Sequence, residues 1–365
     1  MKCSEKTSEY LIGLLKAAVF GAELPLADDV DYAELFSLAK FHSVANIALY
    51  ALEKGDANIP ETLAGQWREL RDKAVVSDIT FQMDYATLCQ ELEREQIRYL
   101  PLKGILMKPL YPQTDYRTMS DIDILIDPEN AEKVRAVMER LGYDTASYDH
   151  DVHDVYHKPP VTSIEIHREL FGAEGEEYAP LFSDPWSVCD VYSEHRYEFR
   201  PHWFFIYLLA HGMKHYAEGG TGIRTFLDIS IFLQHYGGQT DIQEVCRAFE
   251  TVGQRQLCEQ MISLSKMWFG NGERSEALSE TEKYILSGGT YGTFSNQVEN
   301  SVRTKGKAGY IRSKLFPDLK LMRQRYPVLR KAPVLLPVFW LVRICTKPFS
   351  NRRQNMEKLK NLLKK

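Results

Sequence analysis

The sequence lacks any long hydrophobic run. Its longest apolar stretch, residues 334–342, contains Pro337 and is followed by Arg343, so it falls far short of the ~20 residues that a membrane-spanning helix needs. The first ten residues are polar, and no long apolar segment of the kind found in signal peptides follows them. We therefore expect a cytoplasmic protein rather than an exported or membrane-spanning one.

The sequence also has few cysteines, and they form no pattern. The six cysteines are scattered, without a C-x-x-C pair or the spacing of zinc ligands. This argues against a disulfide scaffold and indicates reduced thiols in a cytosolic protein. Internal repeats and low-complexity segments are absent as well. The length of 365 residues and the hydrophobic fraction of 44% are sufficient for two or three globular domains.

Charge is distributed unevenly along the chain. Residues 301–365 carry 18 Lys and Arg side chains against two acidic ones, a net charge of +16, whereas the rest of the chain has a net charge of −21. This basic tail, which contains the apolar segment 334–344, has three interpretations: peripheral contact with an anionic membrane surface, RNA binding, or packing on the acidic body of the chain. We favour the third.

Hydrophobic spacing divides the chain into helical and mixed regions. In the N-terminal part, segments such as 32–52 show helical spacing, and 61–95 is one long helix or two. The pattern predicts an α+β protein, with a small mixed-sheet core flanked by N-terminal and C-terminal helical regions. The predicted parts are an N-terminal helical region (1–96), the α/β core (97–170), a C-terminal helical domain (171–300) and the basic tail (301–365).

Two aspartates stand out just after a Lys103-Gly104 turn. Asp121 and Asp123 alternate with isoleucines in the pattern of a strand, so both carboxylates project to one face and the isoleucines enter the core. Adjacent carboxylates repel each other unless a cation lies between them, and oxygen ligands suit Mg²⁺. Carboxylate pairs without function are common on strands, so the pair alone is weak evidence for a site that holds one or two Mg²⁺ ions.

A third carboxylate follows on a predicted hairpin. The segments 152–157 and 161–167 flank a Pro-Pro turn, and Glu165 and His167 share one face of the second strand. Glu165 can complete the metal site and polarise an attacking hydroxyl, as phosphoryl-group chemistry requires. The turn at Lys103 has backbone N–H groups for phosphates, and Lys103 and Arg117 add positive charge.

Four other histidines give no indication of a functional site. His42 is interpreted as a helix-surface or packing residue. The spacing of His150, His153 and His157 fits neither one strand face nor one helix face throughout, so we interpret them as loop and strand-edge residues.

These motifs resemble those of a known family. LKG at 102–104, SDIDILI at 120–126, GY at 142–143 and IEIH at 164–167 are similar to motifs of the polymerase-beta-like nucleotidyltransferase superfamily, above all its bacterial branch of uncharacterised nucleotidyltransferases. The resemblance implies transfer of a nucleoside monophosphate from an NTP such as ATP to an acceptor hydroxyl, with Mg²⁺ and release of pyrophosphate. The acceptor stays open among small molecules, glycans, proteins and RNA.

The resemblance also implies roles for single residues. Asp121 and Asp123 are expected to be metal ligands and Glu165 the third acid of the catalytic site. Ile105 departs from the superfamily, which usually has a second small residue after the glycine. The nucleotide is expected to contact Lys103, Gly104, Arg117 and Ser120.

Helical segments after residue 200 are similar to flanking elements of the same branch. His211 and His215 lie one helical turn apart, and Arg224 and Asp228 share a face of the next helix. These four side chains either contact the substrate or form an interhelical cluster of hydrogen bonds and ion pairs that positions the domain, which we favour. A zinc site is not favoured, because the spacing lacks the Glu of H-E-x-x-H.

A non-catalytic module with the same fold, acting at a membrane surface or on RNA, is the alternative to an enzyme. The orientation of Glu165 separates the two, because an enzyme requires it to face Asp121 and Asp123 in an open cleft.

Overall fold

The computed structural model describes residues 4–26, 29–149, 152–172, 175–290, 292–317, 319, 322–323, 326 and 328–346. The chain forms two compact units, Met1–Gln297 and Val298–Lys365. The first unit confirms the α+β class, with a five-stranded mixed sheet and helices on both sides of it in the sequence. The four-part division of the chain stays a prediction.

Four helices precede the sheet, α1 (Glu5–Phe20), α2 (Tyr32–Phe41), α3 (Ala45–Lys54) and α4 (Glu61–Arg94). The predicted segment 32–52 is therefore interrupted, because the backbone turns at Ser43, whose φ is +55°. The segment 61–95 forms one helix of 34 residues. Helix α3 packs between α1 and α4 through apolar side chains that are spaced along its length.

His42 lies at the end of α2 and is fully buried, which supports the packing interpretation and excludes the helix-surface one. Its Nε2 donates to the Leu286 carbonyl at 3.2 Å, and its Nδ1 accepts from the Ile223 N–H at 3.3 Å. Burial lowers the pKa of His42 to about 4, although the hydrogen bond to Leu286 opposes this. The imidazole is therefore neutral at pH 7 and joins α2 to the C-terminal helices.

The buried histidine predicts a loss of stability in acid. The pKa of His42 is about 4 in the folded protein and 6.5 when unfolded, so its contribution is complete above pH 6.5. It is lost between pH 6.5 and 4, at a cost of about 3 kcal/mol. Urea unfolding of His42→Gln at pH 7 and pH 4 should show a pH dependence smaller than that of wild type by about this amount. The exposed His157→Gln is the control, and an equal pH dependence in His42→Gln would contradict the prediction.

The sheet has the strand order β1-β2-β5-β4-β3. Strands β2 and β5 pair in parallel, and the other neighbours pair antiparallel. The bounds are β1 (Tyr99–Pro101), β2 (Ile122–Ile126), β3 (Asp144–Ser147), β4 (His153–Lys158) and β5 (Thr162–His167). The predicted hairpin is thus confirmed as β4 and β5.

One face of the sheet is apolar. The isoleucines of β2 and β5 are fully buried and pack with side chains of α4 and of α6 (Ala131–Arg140). The two-residue period of a strand then turns Asp123, Glu165 and His167 to the opposite face. The buried isoleucines are Ile122, Ile124, Ile126, Ile164 and Ile166.

A short helix and the C-terminal helices face this polar side. Helix α5 (Lys103–Met107) follows β1 directly. After the two-stranded sheet of β6 (Cys189–Val191) and β7 (Tyr197–Phe199), helices α7 and α8 carry aromatic and aliphatic side chains into a large second core. The helices are α7 (Pro201–Glu218), α8 (Ile223–Tyr236), α9 (Ile242–Thr251), α10 (Arg255–Phe269) and α11 (Ser279–Gly288).

The basic tail is partly described. Helix α12 (Phe294–Leu315) contains a break at Gly306, and α13 (Val328–Lys331) and α14 (Leu336–Thr346) follow it. Within this unit the Trp340 indole donates to the Pro317 carbonyl at 2.8 Å. No helix among the described residues is long and apolar enough to cross a membrane.

Candidate active site

A cavity of about 460 Å³ lies between the polar face of the sheet and helices α7 and α8. Its volume is within the range of ~300–1,000 Å³ that is usual for ligand pockets. Every site residue predicted from the sequence lines it, although these residues come from distant parts of the chain. They are Lys103, Gly104, Arg117, Ser120, Asp121, Asp123, Glu165, His211, His215, Arg224 and Asp228.

The three carboxylates lie on the sheet side of the cavity. Asp123 and Glu165 are register partners on the parallel strands β2 and β5, so their side chains leave the same face side by side. Asp121 comes directly before β2 and accepts a hydrogen bond of 2.9 Å from the Ser120 hydroxyl. All three carboxylates line the same cavity.

The pKa values of the three acids diverge. Burial, and then the charge of Asp123, raise the pKa of Asp121, and burial with the charges of Asp123 and Asp121 raises that of Glu165 to about 7. Burial also acts to raise the pKa of Asp123, but a hydrogen bond of 3.0 Å from His167 Nε2 and nearby positive charges lower it to about 2. Protonation of Glu165 near neutral pH thus relieves the repulsion within the cluster.

The three carboxylates fit Mg²⁺ by their chemistry, because carboxylate oxygens are the ligands that Mg²⁺ prefers. All three line the same cavity. Among the described residues, the group whose possible ligand atoms all lie within 4.8 Å of one another is His153, Glu165 and His167, which contains one of the three carboxylates.

Lys103 is one of the cations that line the cavity. It begins α5, and its Nζ lies 2.7 Å from His211 Nε2 on α7. Burial lowers the pKa of Lys103 to about 8, against the attraction of Asp123 and Asp121. Burial and the charge of Lys103 hold the pKa of His211 well below its usual range, so His211 is neutral and accepts a hydrogen bond from Lys103.

Gly104 is required by close packing. A Cβ at this position would lie 3.1 Å from Met119 Sδ and 3.3 Å from Arg117 Nη1. The glycine therefore lets the start of α5 approach the loop that leads to Asp121.

Arg117 and Asp228 form a buried ion pair. Arg117 Nε and Nη2 donate to the two oxygens of Asp228, both at 2.9 Å, and the Tyr111 hydroxyl donates to Asp228 Oδ1 at 2.7 Å. Arg224 Nη1 donates to the Thr118 carbonyl at 2.7 Å. Arg224 and Asp228 therefore join α8 to the loop before β2, and Arg117 directs two of its donors to Asp228. Whether Arg224 and Asp228 also contact the substrate stays a prediction.

His211 and His215 contact each other on α7, whereas Arg224 and Asp228 contact the loop before β2. Their rings meet edge to face along α7 with centroids 4.4 Å apart, and both line the cavity. His215 Nδ1 contacts Glu218 at 3.2 Å. Burial lowers the pKa of His215, and the Glu218 hydrogen bond opposes that effect.

The sequence interpretation missed the place of His153. Strand β4 sets His153 opposite His167, and His153 also lies near Glu165, so the three form one cluster. The spacing of the histidines considers His153 along its own strand only, and His150 lies outside the described residues. The missing signal was the hairpin register, which pairs residues across the Pro-Pro turn.

Comparison with known proteins agrees with the geometry. No curated protein matches the chain. The model of a family described as uncharacterised nucleotidyltransferase matches residues 28–270, about two thirds of the sequence. The matched region includes every strand of the five-stranded sheet and every predicted site residue. The chain therefore belongs to this family of uncharacterised nucleotidyltransferases.

Proposed function

We propose that the protein is a Mg²⁺-dependent enzyme that transfers a nucleoside monophosphate from an NTP to an acceptor hydroxyl and releases pyrophosphate. The observation that carries the proposal is the register pairing of Asp123 with Glu165 on parallel strands, next to Asp121, in a cavity that also contains Lys103. The family match supports the reaction class.

Asp121, Asp123 and Glu165 are the residues that would hold Mg²⁺. The ion, when bound, supplies stabilisation of negative charge on the entering and leaving oxygens at phosphorus.

The chain itself binds the triphosphate. Lys103 lines the cavity and its Nζ donates to neutral His211, so its positive charge is available to an anionic ligand in the cavity. The buried surroundings strengthen this attraction relative to water.

Glu165 receives the proton of the acceptor. The acceptor oxygen forms a bond to the α-phosphorus while the bond from that phosphorus to the bridging oxygen breaks, and pyrophosphate leaves with that oxygen. The hydroxyl proton passes to a Glu165 oxygen, which leaves the polar face of the sheet beside Asp123.

Lys103 predicts a pH dependence of nucleotide binding. The amine is protonated below pH 8 and neutral above it, so the NTP dissociation constant is expected to rise above pH 8, by up to about tenfold per pH unit. Lys103→Met should weaken binding about 10- to 100-fold at pH 7, because a hydrogen bond between charged groups is lost, and should remove the rise. Fluorescence titration with a labelled NTP measures both. Lys133→Met, on the exposed side of α6, is the control; wild-type affinity that stays constant from pH 7 to 9.5 would contradict the prediction.

The transfer reaction is tested with α-labelled NTPs. Purified protein, Mg²⁺ and a cell lysate should yield a labelled product, and label in a small molecule, glycan, protein or RNA identifies the acceptor class. Pyrophosphate should appear in equal amount. If label is not transferred and pyrophosphate is not released with any of the four NTPs, the proposal is wrong.

A further inference from the structure

His153, Glu165 and His167 form a compact cluster of two imidazoles and one carboxylate. One ligand atom of each lies within 4.8 Å of the other two. His153 Nε2 and His167 Nε2 lie 3.5 Å and 3.7 Å from the same oxygen, Glu165 Oε2. Both separations exceed the ~2.7–3.2 Å of a hydrogen bond and lie within the distance of an ion pair between an imidazole and a carboxylate.

The separations are close to those around a metal ion. Bonds of about 2.0–2.2 Å to imidazole and carboxylate ligands, at tetrahedral or octahedral angles, place ligand atoms about 3.0–3.5 Å apart. The three residues lie on the rigid antiparallel pair β4–β5, where His153 and His167 are register partners. All three also line the cavity, so an ion and its remaining water ligands have access.

The donor set differs from that of the Mg²⁺ site. Imidazole nitrogen is a ligand for Mn²⁺, Zn²⁺ and similar ions, whereas Mg²⁺ prefers a full set of oxygens. His167 Nε2 donates a hydrogen bond of 3.0 Å to Asp123 in the metal-free protein. An ion bound through this nitrogen would replace that proton, and the Asp123 carboxylate would then lie beside the ion. Two nitrogen donors together with this charge favour a divalent transition metal.

We propose that His153, Glu165 and His167 bind one divalent transition-metal ion, of the class of Mn²⁺ and Zn²⁺. The inference deepens the proposed function, because Glu165 is a proposed ligand of this ion and of Mg²⁺. The role of the ion therefore rests on the proposed function. An ion at this place holds the Glu165 side chain toward β4 and reduces the repulsion between Glu165 and Asp123.

Metal titrations without nucleotide test the binding. Full-length, metal-free protein is titrated with Zn²⁺ by calorimetry and with Mn²⁺ by electron paramagnetic resonance. We expect the affinity for one ion to be at least about tenfold lower in His153→Ala, whereas an ion held by Asp121 and Asp123 is unaffected. His157→Ala, which changes an exposed residue near the other end of the same strand, should cause no change. Wild-type affinity in His153→Ala, or displacement of Mn²⁺ by an equal concentration of Mg²⁺, overturns the proposal.

A crystal of the wild-type protein soaked in Zn²⁺ gives a second test that needs no variant. An anomalous peak about 2.0–2.2 Å from the three ligand atoms is expected, and the absence of a peak at this place overturns the proposal. Absence of NTP turnover with Mg²⁺ would refute the proposed function but leave these metal titrations valid. Turnover with no transition-metal binding would refute the inference alone.

Discussion

Replacement of Asp121 and Asp123 together by alanine is expected to lower Mg²⁺-dependent nucleotidyl transfer at least about 10³-fold. The two carboxylates are the proposed ligands of the ion that neutralises charge at phosphorus, and such electrostatic stabilisation contributes about 4 kcal/mol to lowering the barrier. Release of pyrophosphate from NTP measures the change. The single variants Asp121→Asn and Asp123→Asn keep the size of each side chain and should each lower the rate strongly.

The control is Asp144→Ala, which removes an exposed carboxylate from β3 of the same sheet. Its rate should equal that of wild type. Circular dichroism should show that the double variant is folded, since the isoleucines behind the aspartates still fill the core. A folded Asp121→Ala/Asp123→Ala variant that turns over NTP as well as wild type shows that the site is assigned wrongly.

Asp228→Ala is expected to destabilise the protein by about 3–5 kcal/mol. The side chains of Asp228 and Arg117 are each only 5% exposed, and the carboxylate accepts both guanidinium hydrogen bonds and that of Tyr111. Removal of the acid leaves the Arg117 charge buried without compensation, which costs far more than the net contribution of the pair. Urea unfolding at pH 7 measures the loss.

The double variant Arg117→Met/Asp228→Leu separates the charge from the packing. Because it removes both charges and keeps apolar volume, it should be considerably more stable than Asp228→Ala. If Asp228→Ala costs less than about 1 kcal/mol, the ion pair does not join α8 to the core in the way its geometry indicates.

Local pattern was sufficient to predict the carboxylates. The alternation of Asp and Ile at 121–126, and of Ile with Glu and His at 164–167, has the period of a strand and identifies the polar face before any contact is known. Local sequence does not predict the parallel pairing that sets Asp123 beside Glu165, because this pairing depends on a crossover through α6, β3 and β4.

Long-range contacts were not predictable in the same way. Arg117 and Asp228 are separated by more than a hundred residues, and nothing in either local sequence indicates that they pair. Similarly, the burial of His42 could not be predicted locally, because the hydrogen-bond partners of its two ring nitrogens come from α8 and α11, which are distant in the sequence. The break at Ser43 overrides the helical spacing of 32–52, since tertiary packing of α2 and α3 outweighs local propensity.

The most direct test of the proposed site is a crystal structure with Mg²⁺ and an NTP analogue that resists cleavage between the α- and β-phosphates. The triphosphate should lie in the cavity, with Lys103 Nζ in contact with a phosphate oxygen and with Mg²⁺ between the α-phosphate and the carboxylates of Asp121 and Asp123. A nucleotide bound outside this cavity, or one whose phosphates point away from the two aspartates, would contradict it.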